Sequence, residues 1–385
     1  MALLPSPDTV GTVLADPATR IQTLDALERH DEGPHDAALA LAMAPALTDL
    51  LCLDGASVPH ALYQRVGLLR GRLLVEAADP AALWGVAFGE GRYARELTAA
   101  SVSMEGLRSK SAAELGRDDA LSYACGEALA CSLRDCHGWA RTLVAGGFGS
   151  AKQLLGIYMT EHPIGSAQHC PDDDKPIRML TLLVDLLRSG ELPDLAIGGA
   201  GYAVNYCLQG RPDVARAAVE LGVIELVSAE LLRRGEPLEW LSTAYRPGKT
   251  IRGISTGCLA AVCQVISGFS GSEARPDLEA LETSGLLDQL LSALNALEQG
   301  GVHGLRTTDV GAVVYVLAVF RKSISRPAVS SLVRSAASAI AFAMEHSLDL
   351  CEELGYTTGS YAAGLCENCC SFLAFSSKAQ FVAFA

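Results

Sequence analysis

The chain contains the stretch SLRDCHGWARTLVAGG at residues 132–147 and a second copy of it, CLQGRPDVARAAVELG, at residues 207–222. The two copies align without a gap. They share an arginine at the tenth place and close on the same residue, Gly147 and Gly222. An apolar stretch with helical spacing follows each glycine, and a recurring unit of this kind indicates a repeat architecture. The self-match therefore decides the fold class.

Further copies lie on both sides of this pair. Residues 278–285, followed by the apolar stretch 286–297, repeat the second half of the motif; residues 371–385 fit the same frame, and residues 38–53 are a fainter copy. The closing glycines are 222 − 147 = 75 and 285 − 222 = 63 residues apart, so the array is irregular. At about 40–47 residues per unit, the chain would hold around eight or nine units.

Helical periodicity extends beyond the motif. Apolar residues recur at steps of three and four, for example at Leu180, Leu183 and Leu187, whereas strand-like alternation and hairpin turns are nearly absent. Prolines such as Pro212 and Pro276 stand where they can occupy the first turn of a helix. The closing glycines allow a positive φ and a close backbone approach where two helices meet at a corner. These features predict an all-α protein.

A polar helix that ends in hydrophobic-x-x-Gly, followed by a longer apolar helix, resembles the armadillo repeat. The resemblance is clearest over residues 121–300, and it does not separate the armadillo form from the HEAT form. It implies a right-handed α-α superhelix, an armadillo-like solenoid, that forms a single array over residues 1–385. Because the chain stops at Ala385, where a glycine corner would follow, we expect the last unit to be incomplete.

Composition and charge narrow the function. Half of the 385 residues are hydrophobic, which excludes disorder, and no apolar run is long enough for membrane insertion. Nucleic-acid binding needs a stripe of basic side chains, and the net charge of this chain is −14, so we expect no nucleic acid partner. The twelve cysteines lie mostly within helical patterns and indicate reduced, buried thiols. We therefore expect a soluble protein in the cytoplasm or the nucleus.

Motifs of catalysis are weak in this chain. Gly253-Ile-Ser-Thr-Gly257 matches a nucleophile elbow, but the elbow requires a preceding strand, so we expect Ser255 to cap a helix that begins at Thr256. The pair Gly199 and Gly201 stands outside any βαβ unit. The cysteines near Cys366 fit a buried helix better than a zinc site. We expect no enzyme activity, no cofactor and no metal.

The resemblance implies a scaffold that binds a partner protein or peptide along its concave face. In the repeat frame we assign the long third helices to this face, and they present a row of polar side chains: Gln153, Glu225, Ser228, Asp288, Ser292 and Asn295. An insertion adds the basic side chains Arg246, Lys249 and Arg252. An all-α enzyme with a groove site, and a structural spacer or regulatory subunit of a larger assembly, remain alternatives.

One departure from the family restricts the partner. Armadillo proteins that hold extended peptides carry a recurring asparagine on the concave face. The aligned positions here hold Cys131, Tyr206 and Gln264, with Asn205 one place away. Capture of a basic peptide in the manner of a transport receptor is therefore not expected.

Overall fold

A computed structural model of the chain describes residues 4–29, 37–52, 80–89, 106–134, 174–190, 194–233, 254–306 and 310–353, together with ten single positions between them (66, 69, 70, 73, 92, 95, 192, 235, 236 and 241). All the regular elements in this part of the chain are helices, and it contains no strand. The prediction of an all-α protein is confirmed.

Four helices form the N-terminal group: α1 (Pro7–Ala15), α2 (Pro17–Arg29), α3 (Ala37–Leu51) and α4 (Pro80–Phe88). Three of them begin at a proline, whose missing N–H costs nothing in the first turn. Helix α1 packs against α2 and α3, and α3 packs against α4.

Eleven more helices follow within the described residues, with a 3-10 turn at Ala112–Glu114 before the first of them. They are α5 (Arg117–Arg134), α6 (Asp174–Ser189), α7 (Asp194–Leu208), α8 (Pro212–Glu220), α9 (Val223–Arg233), α10 (Ile254–Gly268), α11 (Pro276–Thr283), α12 (Leu286–Arg306), α13 (Val310–Ser323), α14 (Pro327–Ser335) and α15 (Ala337–Glu353). Helix α12 is kinked at Gly301, where φ is 60°. From α8 onward the order is short helix, apolar helix, buried helix, and then short helix again.

The short helices α8 and α11 begin in the same way. Arg211 places one edge of its guanidinium on Asp213, with Nε 3.0 Å from Oδ1 and Nη2 2.7 Å from Oδ2. Arg275 holds Asp277 in the same geometry at 3.0 Å and 2.8 Å. Both carboxylates lie in the first turn, where the positive end of the helix dipole favours a negative charge. The Arg-Pro-Asp sequence is thus a repeated device for starting a short helix.

The predicted glycine corners are confirmed in their backbone conformation. Gly222 joins α8 to α9 with φ of 70°, and Gly285 joins α11 to α12 with φ of 74°. The predicted close approach is wrong at both. A methyl group would lie 3.6 Å from the side-chain ends of Arg188 and Glu225 at Gly222, and would meet nothing within 4 Å at Gly285. Glycine is therefore required at these two corners for its left-handed backbone and not for the absence of a side chain. Gly147 lies outside the described residues.

Helices of the same kind pack against one another in chain order. One row is formed by α5, α7, α10 and α13, in which each helix packs against the next. A second row is formed by α6, α9, α12 and α15 in the same manner. One continuous core runs through both rows from Leu107 to Ala343.

Helices α7 and α10 of the first row approach each other closely. A methyl group on Gly201 of α7 would lie 2.6 Å from the backbone nitrogen of Cys258, and one on Gly257 of α10 would lie 2.9 Å from the carbonyl carbon of Gly198. Gly201 and Gly257, which belong to sequence patterns that resemble catalytic motifs, therefore serve helix packing. Ser255 is buried at the second position of α10, so the helix begins two residues earlier than predicted.

Among the described residues, no single helix is long and apolar enough to cross a membrane. The pair Pro327–Ser335 and Ala337–His346, bent by 70°, would reach that length and hydropathy only together.

Candidate functional site

The predicted polar row is found on the second row of helices. Glu225 lies exposed on α9, and Asp288, Ser292 and Asn295 lie exposed along one face of α12. Glu225 and Asp288 each stand three residues after their corner glycine. Both are therefore first-turn acids, a position that the helix dipole favours without any partner.

Ser228 does not belong to the exposed row, and the prediction for it is wrong. Its side chain is 2% exposed. The hydroxyl donates to the carbonyl oxygen of Ser284 at 2.9 Å and accepts from the side-chain nitrogen of Gln289 at 2.6 Å. Ser284 directly precedes the corner glycine Gly285, so Ser228 ties α9 to the corner between α11 and α12.

A similar tie links the preceding helices. The guanidinium of Arg188, at the end of α6, donates to the carbonyl oxygen of Leu221, which directly precedes Gly222. In both places a side chain of the second row supplies a hydrogen bond to the carbonyl just before the next corner. These contacts satisfy backbone groups that a helix end leaves without an intrahelical partner.

Four predicted site residues lie outside the described residues: Gln153, Arg246, Lys249 and Arg252. Their assignment to a binding surface stays a prediction. The cysteines around Cys366 also lie in a part of the chain that the structure does not describe.

The first row of helices carries a surface that the sequence reasoning missed. Tyr202 of α7 and Ala260 of α10 form a small apolar cluster, separate from the main core, against which Tyr206 and Tyr315 pack. Tyr202 is 2% exposed, whereas Tyr206 and Tyr315 are half-buried. We call Tyr202, Tyr206, Ala260 and Tyr315 the tyrosine face. The four-residue spacing of Tyr202 and Tyr206 was the available signal, because it places both on one side of a helix.

Amide side chains border the tyrosine face. Asn205 and Gln209 of α7 and Gln264 of α10 are each half-buried. Gln264 follows Ala260 by four residues and so shares its side of the helix. Aromatic rings beside amides give a surface that can cover apolar groups and exchange hydrogen bonds with a backbone.

Helix α5 adds a buried phenol and a buried carboxylate on neighbouring turns. Tyr123 and Glu127 are at most 2% exposed. Among the described residues, no partner accepts or donates a hydrogen bond at the Tyr123 hydroxyl. Burial raises the pKa of Tyr123 well above its ordinary value, and the negative charge of Glu127 raises it further. The phenol is therefore neutral at physiological pH.

The other end of the tyrosine face is polar. Lys322 of α13 donates to the hydroxyl of Ser267 on α10, which links the ends of the two helices. The thiol of Cys263 donates to the carbonyl oxygen of Tyr315 at 3.5 Å. Burial raises the pKa of the Cys263 thiol to about 12, although the charges of Lys322 and Arg321 act in the opposite direction. Cys263 is therefore a neutral packing residue and a poor nucleophile.

Among the described residues, no group of three His, Cys, Asp or Glu side chains could hold a metal ion.

Comparison with known protein families and with characterised proteins found no match for this chain.

Proposed function

We propose that the protein is a binding scaffold, a right-handed armadillo-like superhelix that docks a protein or peptide partner along its concave face. The observation that carries the proposal is the order of packing: two rows of helices in which each helix packs against its counterpart in the next unit. A stack of this kind exposes a long continuous surface, which is what repeat proteins use for binding.

The repeated details of the units support the same architecture. Arg211 and Arg275 start successive short helices with the same ion pair, and Gly222 and Gly285 turn successive corners with φ of 70° and 74°. Two independent local devices that recur at matching places are expected of structural repeats. They are not expected of an irregular helical globule.

The tyrosine face, and not the Glu225 row, is the surface that we assign to the partner. Helices α7 and α10 approach each other through glycines, with no side chain between them at Gly201 and Gly257. Helices on the inner side of a curved stack must lie closer together than those on the outer side. The first row is accordingly the concave one, which reverses the assignment made from the sequence.

The chemistry of the tyrosine face favours an extended peptide segment of low charge. Rings such as Tyr206 and Tyr315 can cover apolar side chains of the partner, and Asn205 and Gln264 can hydrogen-bond to its backbone. The charge of Lys322, at one end of the face, is already engaged by a hydrogen bond to Ser267. The departure from the asparagine pattern of peptide-binding armadillo proteins fits this difference in partner.

Affinity capture with paired variants tests the proposal. The bait proteins are wild type, a tyrosine-face variant (Tyr206→Ala with Gln264→Ala) and a variant of the second row of helices (Asp288→Ala with Asn295→Ala). We call the last one the outer-row variant, because the second row lies on the outer side of the proposed stack. We expect a partner that wild type and the outer-row variant retain and the tyrosine-face variant loses. Far-UV circular dichroism confirms that all three are folded. A partner lost only with the outer-row variant would contradict the assignment of the face, and no saturable partner for any bait would contradict the scaffold.

A further inference from the structure

The N-terminal helices form a groove that the proposed scaffold function does not use. It lies between α1 and α3, is half-open to solvent and encloses about 390 Å³. Gly11 and Ala15 line it from α1, and Ala42 and Ala46 line it from α3. The members of each pair are four residues apart, so each pair follows one face of its helix. Because these four residues carry at most a methyl group, the two helices leave a channel between them.

The wall of the groove suits a helix better than an extended peptide. An extended segment needs partners for its backbone N–H and C=O groups. Of the described residues that line the groove, Asp49 and Arg92 are the ones with polar side chains, and they bond to each other, with the Nε of Arg92 3.2 Å from both carboxylate oxygens. A helix satisfies its own backbone, and a ridge of its side chains at steps of four residues packs into a channel between helices.

The surroundings of the groove are acidic. Residues 1–60 hold nine acidic and two basic side chains, a net charge of 2 − 9 = −7. Asp8 lies exposed in the first turn of α1, three residues before Gly11 and on the same face, and its carboxylate pairs with no other described residue. Arg20, one of the two basic residues, is buried and bonds to the end of α1. A cationic partner is therefore attracted to this end of the molecule, whereas a second copy of the chain is repelled.

We propose that this groove docks a basic amphipathic helix of a partner protein. The apolar face of that helix fills the channel and covers Leu41 of α3, which is 40% exposed and lies one turn before the lining residue Pro45. Its lysine or arginine side chains meet Asp8 and the acidic surface of the N-terminal helices. This site is separate from the tyrosine face, so either proposal can fail without the other.

Three synthetic peptides of about 15 residues test the occupant by fluorescence anisotropy with the full chain. The first has leucine at helical steps of three and four and lysine elsewhere. The second has glutamate in place of lysine, and the third has the residues of the first in an order without an apolar face. We expect the lysine peptide to bind at least about tenfold more tightly than the other two, and more weakly as salt is added. Equal or tighter binding of either other peptide, or no binding of the lysine peptide, overturns the proposal.

Two pairs of variants locate the site. Ala46→Leu fills the channel and should weaken binding of the lysine peptide at least about tenfold, whereas Ala229→Leu, at an exposed alanine of α9, should not change it. Asp8→Asn should weaken binding by about twofold to fivefold, and Asp288→Asn, at an exposed first-turn acid of α12, should not. If Ala46→Leu fails to fold by circular dichroism, Ala42→Leu takes its place. Unchanged binding in a folded, groove-filled variant, or equal effects within either pair, overturns the proposal.

Sedimentation velocity of the chain alone tests the other occupant, a second copy. We expect no self-association through the groove, because both copies carry the same negative charge at this end. A dimer that forms in wild type and is lost in the groove-filled variant would assign the groove to a second copy and overturn the proposal.

Discussion

Replacing Gly257 by alanine tests the contact between α7 and α10 on which the first row of helices depends. The added methyl group would clash with the carbonyl oxygen of Gly198. It would also lie 2.9 Å from the carbonyl carbon of Gly198 and 3.0 Å from Cδ2 of Tyr202. Carbon atoms in contact prefer about 3.5–4.0 Å, so the two helices must part by roughly 0.5–1 Å. The Gly198 group is backbone and cannot rotate away.

Two opposing effects set the magnitude. In the interior of a helix, alanine is more favourable than glycine by about 1 kcal/mol, and this effect stabilises the variant. Overpacking of a close contact costs about 1–3 kcal/mol, and the upper part of that range applies where backbone opposes the methyl group. The Gly257→Ala variant should therefore lower the free energy of unfolding by about 1–2 kcal/mol.

Urea unfolding followed by far-UV circular dichroism measures this difference. Gly11→Ala is the matched control: Gly11 is also inside a helix, but a methyl group there meets nothing within 4 Å. The control should be neutral or stabilised by up to about 1 kcal/mol. Opposite signs for the two variants are the expected result. A Gly257→Ala variant as stable as wild type would refute the close packing of α7 against α10.

Three further predictions concern single residues. Gly285→Ala should cost about 1–2 kcal/mol of unfolding free energy because its φ is 74°. The control is Gly300→Ala, which should be neutral or stabilised by up to about 1 kcal/mol, since neither methyl group meets a neighbour and Gly300 is helical. Iodoacetamide at pH 8 should modify the half-buried Cys52 well before Cys263, because the buried thiol of Cys263 has a pKa of about 12. Mass spectrometry measures the two rates, and equal rates would contradict the burial of Cys263. The hydrogen bond from Arg211 lowers the pKa of Asp213, so its carboxylate stabilises the fold above pH about 4 and the contribution is lost as the pH falls through the lowered pKa. The urea midpoint of Asp213→Asn should thus lie below that of wild type at pH 7 and approach it at pH 3, and a constant difference would contradict the ion pair.

Local backbone features could be predicted from the sequence, because they depend on only a few neighbouring residues. A glycine after an apolar helix end predicts a left-handed corner, and Gly222 and Gly285 both adopt one. Prolines at the first helical turn likewise predicted where α8 and α11 begin.

Features that depend on contacts between helices far apart in the sequence could not be predicted. Ser228 has the spacing of an exposed helical residue, but the corner carbonyl of Ser284, 56 residues later, buries it. Tyr315 belongs to the tyrosine face although it lies on a different helix from Tyr206, so spacing along the chain does not reveal the face. The sequence places these side chains on helices, but only packing shows which helices meet.

The central claim, a stacked superhelix and not a compact globule, is tested most directly by small-angle X-ray scattering of the full chain. Eight or nine units about 10 Å apart give a stack about 85 Å long and a radius of gyration of about 27 Å. A compact domain of the same length would have a radius of gyration of about 21 Å. We predict a monomer value near 27 Å with an elongated distance distribution; a monomer near 21 Å with a symmetric distribution would contradict the scaffold account.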